Sequence, residues 1–74
     1  MTYSYRSIKK LYEDDSVIIV DKPAGLLTIP DRYDSSKENL YSILGDHFGE
    51  IFIVHRLDKD TSGAIVFAKT AEAH

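Results

Sequence analysis

The sequence predicts a small α+β fold, and three observations carry that reading. Three short apolar runs rich in β-branched residues, Val17 to Val20, Ile51 to Val54 and Ala64 to Ala68, have the length of strands. Leu40, Ile43, Leu44 and Phe48 recur three and four residues apart and mark one amphipathic helix. The chain has only 74 residues, so it holds one domain at most, with a thin core. A mostly antiparallel or mixed sheet with one packed helix follows. Such a sheet leaves an exposed edge, which favours self-association, a swap or a further portion of the fold.

The elements follow in order. Residues 1 to 12 combine Tyr3, Tyr5, Ile8, Leu11 and Tyr12 with Arg6, Lys9 and Lys10, and the weak pattern fits an N-terminal arm or the lead-in to a strand. The basic cluster reads as a solvated face or as a contact to phosphate. Glu13 to Ser16 is a turn, and Val17 to Val20 is a buried strand. Asp21-Lys22-Pro23-Ala24-Gly25 breaks it, because Lys22 precedes a proline and Gly25 allows a tight turn. Lys22 reads first as a turn-exposed charge and second as a basic group at the rim of a cleft. Leu26 to Ile29 resumes an extended path until Pro30, and 31 to 36 is a polar linker.

Ser35 followed by Glu38 has the spacing of a capping box, so a helix is expected from about Ser36 to about His47, with Gly49 as its stop. His47 has no partner ligand in sequence and is expected to be structural or exposed. Thr70 to His74 looks like the cap and first turn of another helix. The organisation expected is an arm over 1–12 and a single unit over 13–74.

Composition narrows the function. Nine Lys and Arg stand against twelve Asp and Glu, a formal charge of -3, with the acidic surplus confined to 31–50. That argues against binding nucleic acid through bulk positive charge, while leaving room for a nucleic-acid substrate held at one pocket. Without cysteine there is no disulfide or thiolate chemistry, which fits a cytoplasmic protein. No run of apolar residues reaches the length of a membrane span.

The chemically loaded stretch is His55-Arg56-Leu57-Asp58-Lys59-Asp60-Thr61-Ser62-Gly63, a polar loop between two strands. Three chemistries compete for it. His55, Asp58 and Asp60 are acceptable metal ligands, but Arg56 and Lys59 already balance the carboxylates. Asp58, with Leu57 as an apolar neighbour, suits a nucleophile or general base, and Asp60 suits bonding of the turn. Arg56 and Asp58 could also form a plain ion pair, although an exposed pair contributes only about 0.2–1 kcal/mol. Thr61 and Ser62 brace the loop or meet phosphate, and Gly63 supplies backbone freedom. The residues alone do not choose a reaction.

This nonapeptide, followed by Ala64 to Thr70, closely resembles the signature of the RluA-type pseudouridine synthases, and Ile19-Val20-Asp21-Lys22-Pro23-Ala24-Gly25-Leu26 resembles that family's first catalytic-domain motif. The resemblance runs from about Leu11 onward. It implies part of a pseudouridine synthase catalytic domain, without an RNA-binding domain of S4 type, that isomerises uridine in ribosomal or transfer RNA. Asp58 matches the essential aspartate, and Arg56 the arginine that takes the place of the flipped base and helps hold the aspartate. His55, Thr61, Ser62 and Gly63 match positions that shape the loop and approach the RNA, with Lys22 as a further substrate-side residue. No metal or organic cofactor and no membrane partner are implied.

The family's base-stacking tyrosine and its basic partner of the aspartate belong to later motifs, and none of the five tyrosines stands in the matching context. The 74 residues are therefore expected to be an N-terminal part of the catalytic domain with little activity alone. The alternative is a non-catalytic RNA-binding or oligomerising fragment that keeps the loop.

Overall fold

A computed structural model describes residues 3–34 and 36–74. A single turn of 3-10 helix at Tyr5–Ser7 leads into four strands and one helix: β1 (Lys9–Glu13), β2 (Val17–Lys22), α1 (Leu40–Phe48), β3 (Phe52–Ile53) and β4 (Gly63–Ala68). The sheet order is β1-β2-β4-β3, and every neighbouring pair is antiparallel. The predicted α+β class is therefore the one observed.

Strand β2 shows how the sequence sets the sheet. Ile18, Val20 and Lys22 are buried while Val17, Ile19 and Asp21 are half-buried, the period of two that puts alternate side chains on opposite faces. Its register with β4 runs from Val17 opposite Ala68 to Lys22 opposite Gly63. The polar loop between β3 and β4 thus opens beside the last residue of β2. The core gathers on one face from Ile8, Ile18, Val20, Leu26, Leu40, Leu44, Ile51, Ile65 and Phe67. The helix contributes Leu40 and Leu44 to it, with Ile43 and Phe48 packed alongside as the spacing predicts.

The turn predicted at Glu13 to Ser16 forms around Asp14, whose Oδ1 accepts from the amides of Ser16 and Val17. The segment read as an arm or strand lead-in carries β1, an edge strand with an irregular register between Lys10 and Tyr12 and with Leu11 and Tyr12 about half exposed. Further back, Tyr5 stacks on His47 of α1 with ring centroids 3.7 Å apart, which gives that histidine its structural place. At the other end of the chain, Thr70 Oγ1 accepts from Ala73 N and Thr70 O from His74 N, so the expected cap and first turn are present as a turn.

Two expectations are corrected. The helix begins at Leu40, later than Ser36, because Asn39 caps it: its side chain accepts from Ser42 N at 2.8 Å. Ser35, the expected cap, lies outside the described residues, and Glu38 accepts instead from the Tyr3 amide. Leu26 to Ile29 is not a strand. Beyond one bridge between Leu27 and Asn39, its carbonyls at Leu27 and Thr28 accept from Leu40 N and Tyr41 N, two of the amides that a helix start leaves without internal partners. The backbone groups that would extend the sheet serve α1.

Candidate active site

The loop between β3 and β4 is fixed from beneath by residues of the 22–28 segment. Lys22 is 0% exposed, and its Nζ donates to three carbonyls: Thr61 O at 2.7 Å, Lys59 O at 2.9 Å and Pro23 O at 3.1 Å. An ammonium has three donors and no acceptor, so this group is fully used in its charged form. Burial pulls its pKa below the ordinary lysine value, while the carboxylates of Asp60 and Asp58 push the other way. Lys22 is therefore neither the turn-exposed charge nor the cleft-rim group expected from the sequence. It is a buried strut, because alternation along β2 turns its stem onto the core face and the loop supplies oxygens at its tip.

Two further contacts complete the clamp. Gly25, at φ 92°, presents its amide to Lys59 O at 2.7 Å, so that one carbonyl accepts from both the glycine and the lysine. A side chain is disfavoured at that φ whatever space surrounds it. The Thr28 hydroxyl, buried, donates to Leu57 O at 2.8 Å and accepts from Leu57 N at 3.2 Å. Both backbone groups of the residue between Arg56 and Asp58 are thereby held by one side chain. Leu57 itself packs against the core, and Arg56 and Asp58 are exposed on either side of it.

The remaining loop residues have distinct positions. Thr61 N donates to Asp58 O at 3.0 Å, closing a turn directly after the candidate catalytic residue. Thr61 braces the loop through its backbone, and both Thr61 and Ser62 are exposed. Gly63 takes φ 141° as the chain enters β4. His55 Nε2 lies 3.2 Å from the Val66 amide and accepts from it, tying the start of the loop to β4 beyond the short β3. That tie sets the tautomer: the other ring nitrogen carries the proton when the imidazole is neutral.

A cavity of about 190 Å³ opens above this clamp, lined by Thr28, Ile29, Arg56, Leu57, Asp58 and Lys59 among others. One wall is Leu27 to Ile29, the segment that follows the first sequence motif, and the other is Arg56 to Lys59 of the loop. Asp58 stands at it with no ion pair or hydrogen bond to its carboxylate among the described residues. The plain Arg56–Asp58 ion pair, one of the three readings of the loop, is therefore not formed, and both side chains line the same space. No three His, Asp or Glu side chains converge as metal ligands among the described residues. Sequence reasoning missed Thr28 and the amide of Gly25. A lone threonine inside the apolar run Leu26 to Ile29 was the available signal, since a hydroxyl buried among apolar neighbours needs a partner.

Residues 16–74 match the family model described as RNA pseudouridylate synthase. The chain is 44% identical over 63 residues to the dual-specificity RNA pseudouridine synthase RluA of Vibrio vulnificus, covering 85% of this chain and 25% of the relative. It is 41% identical over 63 residues to the protein of the same name from Escherichia coli K12, covering 85% and 29%. It is also 43% identical over 76 residues to the uncharacterized RNA pseudouridine synthase YhcT of Bacillus subtilis, covering 95% and 25%. The chain thus spans a quarter to under a third of the length of these relatives. With the matched stretch reaching from β2 through the whole loop that Lys22, Gly25 and Thr28 hold, the chain belongs to the RNA pseudouridylate synthase family.

Proposed function

We propose that this chain supplies one wall of the active site of an RNA pseudouridine synthase acting on a uridine of ribosomal or transfer RNA in the cytoplasm, with Asp58 as the reacting carboxylate. The observation that carries this reading is the exposed Asp58 carboxylate, free of any cationic partner among the described residues, on a backbone held by Lys22 and Thr28. A carboxylate so held can approach a ribose without first breaking an ion pair.

In the reaction the N1–C1′ bond breaks, the base turns, and a C5–C1′ bond forms; C5 loses a proton and N1 gains one. Atoms and electrons balance within the substrate, so no oxidant or reductant enters. Asp58 either attacks C1′ or removes the C2′ proton, and both routes need an ionised carboxylate at the sugar. Arg56, exposed at the same cavity and in no ion pair among the described residues, is suited to fill the space of the displaced base and to meet phosphate through its planar fork. Thr61, Ser62 and Gly63 shape the far side of the loop. Lys22 acts through the loop as a positioning residue.

The cavity is small, at about 190 Å³, and the chain covers about a quarter of its relatives, so the 74 residues alone are expected to form little or no pseudouridine. The test transplants residues 16–74, the matched stretch, into Escherichia coli RluA. The transplant is expected to convert uridine, and Asp58→Ala to lower its rate by about 10³-fold, within the range for loss of a catalytic acid or base. Pseudouridine formation that survives Asp58→Ala contradicts the assignment. Salt-dependent RNA affinity without turnover in the folded transplant favours a binding role instead.

A further inference from the structure

A second cavity, of about 310 Å³, adjoins the first: Leu27, Ile29 and Arg56 line both. Its outer wall is the loop at Pro30, Asp31, Arg32 and Tyr33. Tyr33 is 89% exposed, the largest exposure among the bulky hydrophobic side chains described, and nothing in the core needs its ring. Yet its backbone is held. Asp31 Oδ1 accepts from Tyr33 N at 2.7 Å and from Asp34 N at 3.1 Å, and Lys37 Nζ lies 3.5 Å from Asp31 Oδ2. These contacts engage the one carboxylate of this wall. The Arg32 guanidinium carbon sits 5.9 Å from the Tyr33 ring centroid, and neither Arg32 nor Arg56 is in an ion pair among the described residues. The result is an exposed aromatic ring with Arg32 over one of its faces, in a cavity that also holds the unpaired Arg56 and adjoins the Asp58 cavity.

We propose that this second cavity seats the nucleotide next to the target uridine, with its base stacked on Tyr33 and its phosphate met by Arg32 and Arg56. The inference rests on the reading of the chain as RNA-modifying and extends it to a flanking-nucleotide subsite. An exposed tyrosine provides a stacking platform that accepts any base, while the arginines follow the backbone. With Arg56 filling the space of the displaced base, a neighbour that also leaves the helical stack loses its partners there, and Tyr33 supplies a face for it.

The experiment measures binding of the 74-residue chain to a hairpin RNA whose unpaired loop contains uridine beside 2-aminopurine, a base whose fluorescence falls on stacking. Tyr33→Ala is expected to weaken binding by about 10-fold and to abolish the fall in fluorescence. Tyr33→Phe is expected to preserve both. Arg32→Gln is expected to lower the salt slope by about one. Since Tyr33 is exposed, matched thermal unfolding of the variants confirms that they fold. Salt-dependent binding by the wild type that is indifferent to Tyr33→Ala overturns this subsite and leaves the RNA reading intact. Absence of RNA binding by the wild type at low salt overturns the subsite, while the RNA-modifying reading stands or falls with turnover in the transplant.

Discussion

The two ends of the β2–β4 pair each hold a lysine, and the lysines are used in opposite ways. At one end Lys22 donates only to carbonyls, those of Pro23, Lys59 and Thr61, while the nearby carboxylates of Asp58 and Asp60 stay exposed. At the other end Lys69 donates to Glu13 Oε2 at 2.7 Å and to Asp14 O at 2.8 Å, and its Nζ lies 5.0 Å from the Phe48 ring centroid. There the acids are saturated as well: Glu13 also meets Lys10 at 3.0 Å, and Asp14 accepts from Tyr12 Oη at 2.8 Å. The Lys69 end consumes its charge in holding β1, β2 and β4 together. The Lys22 end spends only neutral oxygens and keeps its carboxylates available. A difference in pairing, more than in composition, separates the end proposed to be catalytic from the structural one.

The largest test of this contrast is Lys22→Met. It removes a charged donor from three carbonyls of a buried site, and the loss is expected to lower stability by about 2–3 kcal/mol, since hydrogen bonds to charged groups and buried groups left unpaired both lie in that range. Chemical denaturation reads it directly. Lys22→Arg is not expected to rescue, because a planar fork does not match three oxygens gathered around a point. Thr28→Val comes next, at about 1–2 kcal/mol, because it strips both backbone groups of Leu57 of their shared partner. In the transplanted protein the same change is expected to reduce turnover more than RNA affinity, the mark of a residue that positions Asp58.

Lys69→Met is expected to produce a smaller fall in melting temperature than Lys22→Met, because its contacts are partly open to solvent, and to leave turnover unchanged. The smallest effect is in acid. Lys69 and then Lys10 hold the Glu13 carboxyl below its ordinary value, and Tyr12 and the amides of Ser16 and Val17 do so for Asp14. A depressed folded pKa stabilises above the ordinary carboxylate range, and that stabilisation is lost as pH falls through the folded values. Melting temperature followed from neutral pH into acid should therefore decline less steeply for Glu13→Gln than for the wild type.

The sequence made some of this legible and left some hidden, for physical reasons. Periodicity was sufficient for β2, for β4 and for the apolar face of α1, because burial of alternate or helically spaced side chains is a local property. It failed at Leu26 to Ile29, where an apolar run suited to a strand satisfies helix amides instead, a matter settled by tertiary position. The capping-box spacing failed at Ser36, where the distant Tyr3 amide takes Glu38 and Asn39 becomes the cap. At the site, the loaded nonapeptide announced itself by composition. Lys22 did not, since a lysine before a proline looks like a surface turn until the loop oxygens of Lys59 and Thr61 are placed at its tip.

The measurement that tests the division of roles most directly compares Asp58→Asn with Glu13→Gln in the transplanted protein, reading pseudouridine formation and thermal unfolding on the same samples. Asp58→Asn is expected to lose turnover by about 10³-fold with stability within about 0.5 kcal/mol of the parent, as for an exposed side chain without partners among the described residues. Glu13→Gln should show the reverse, a lower melting temperature with turnover retained. If Asp58→Asn unfolds the protein, or keeps its activity, the free carboxylate at the Lys22 end is not the reacting group.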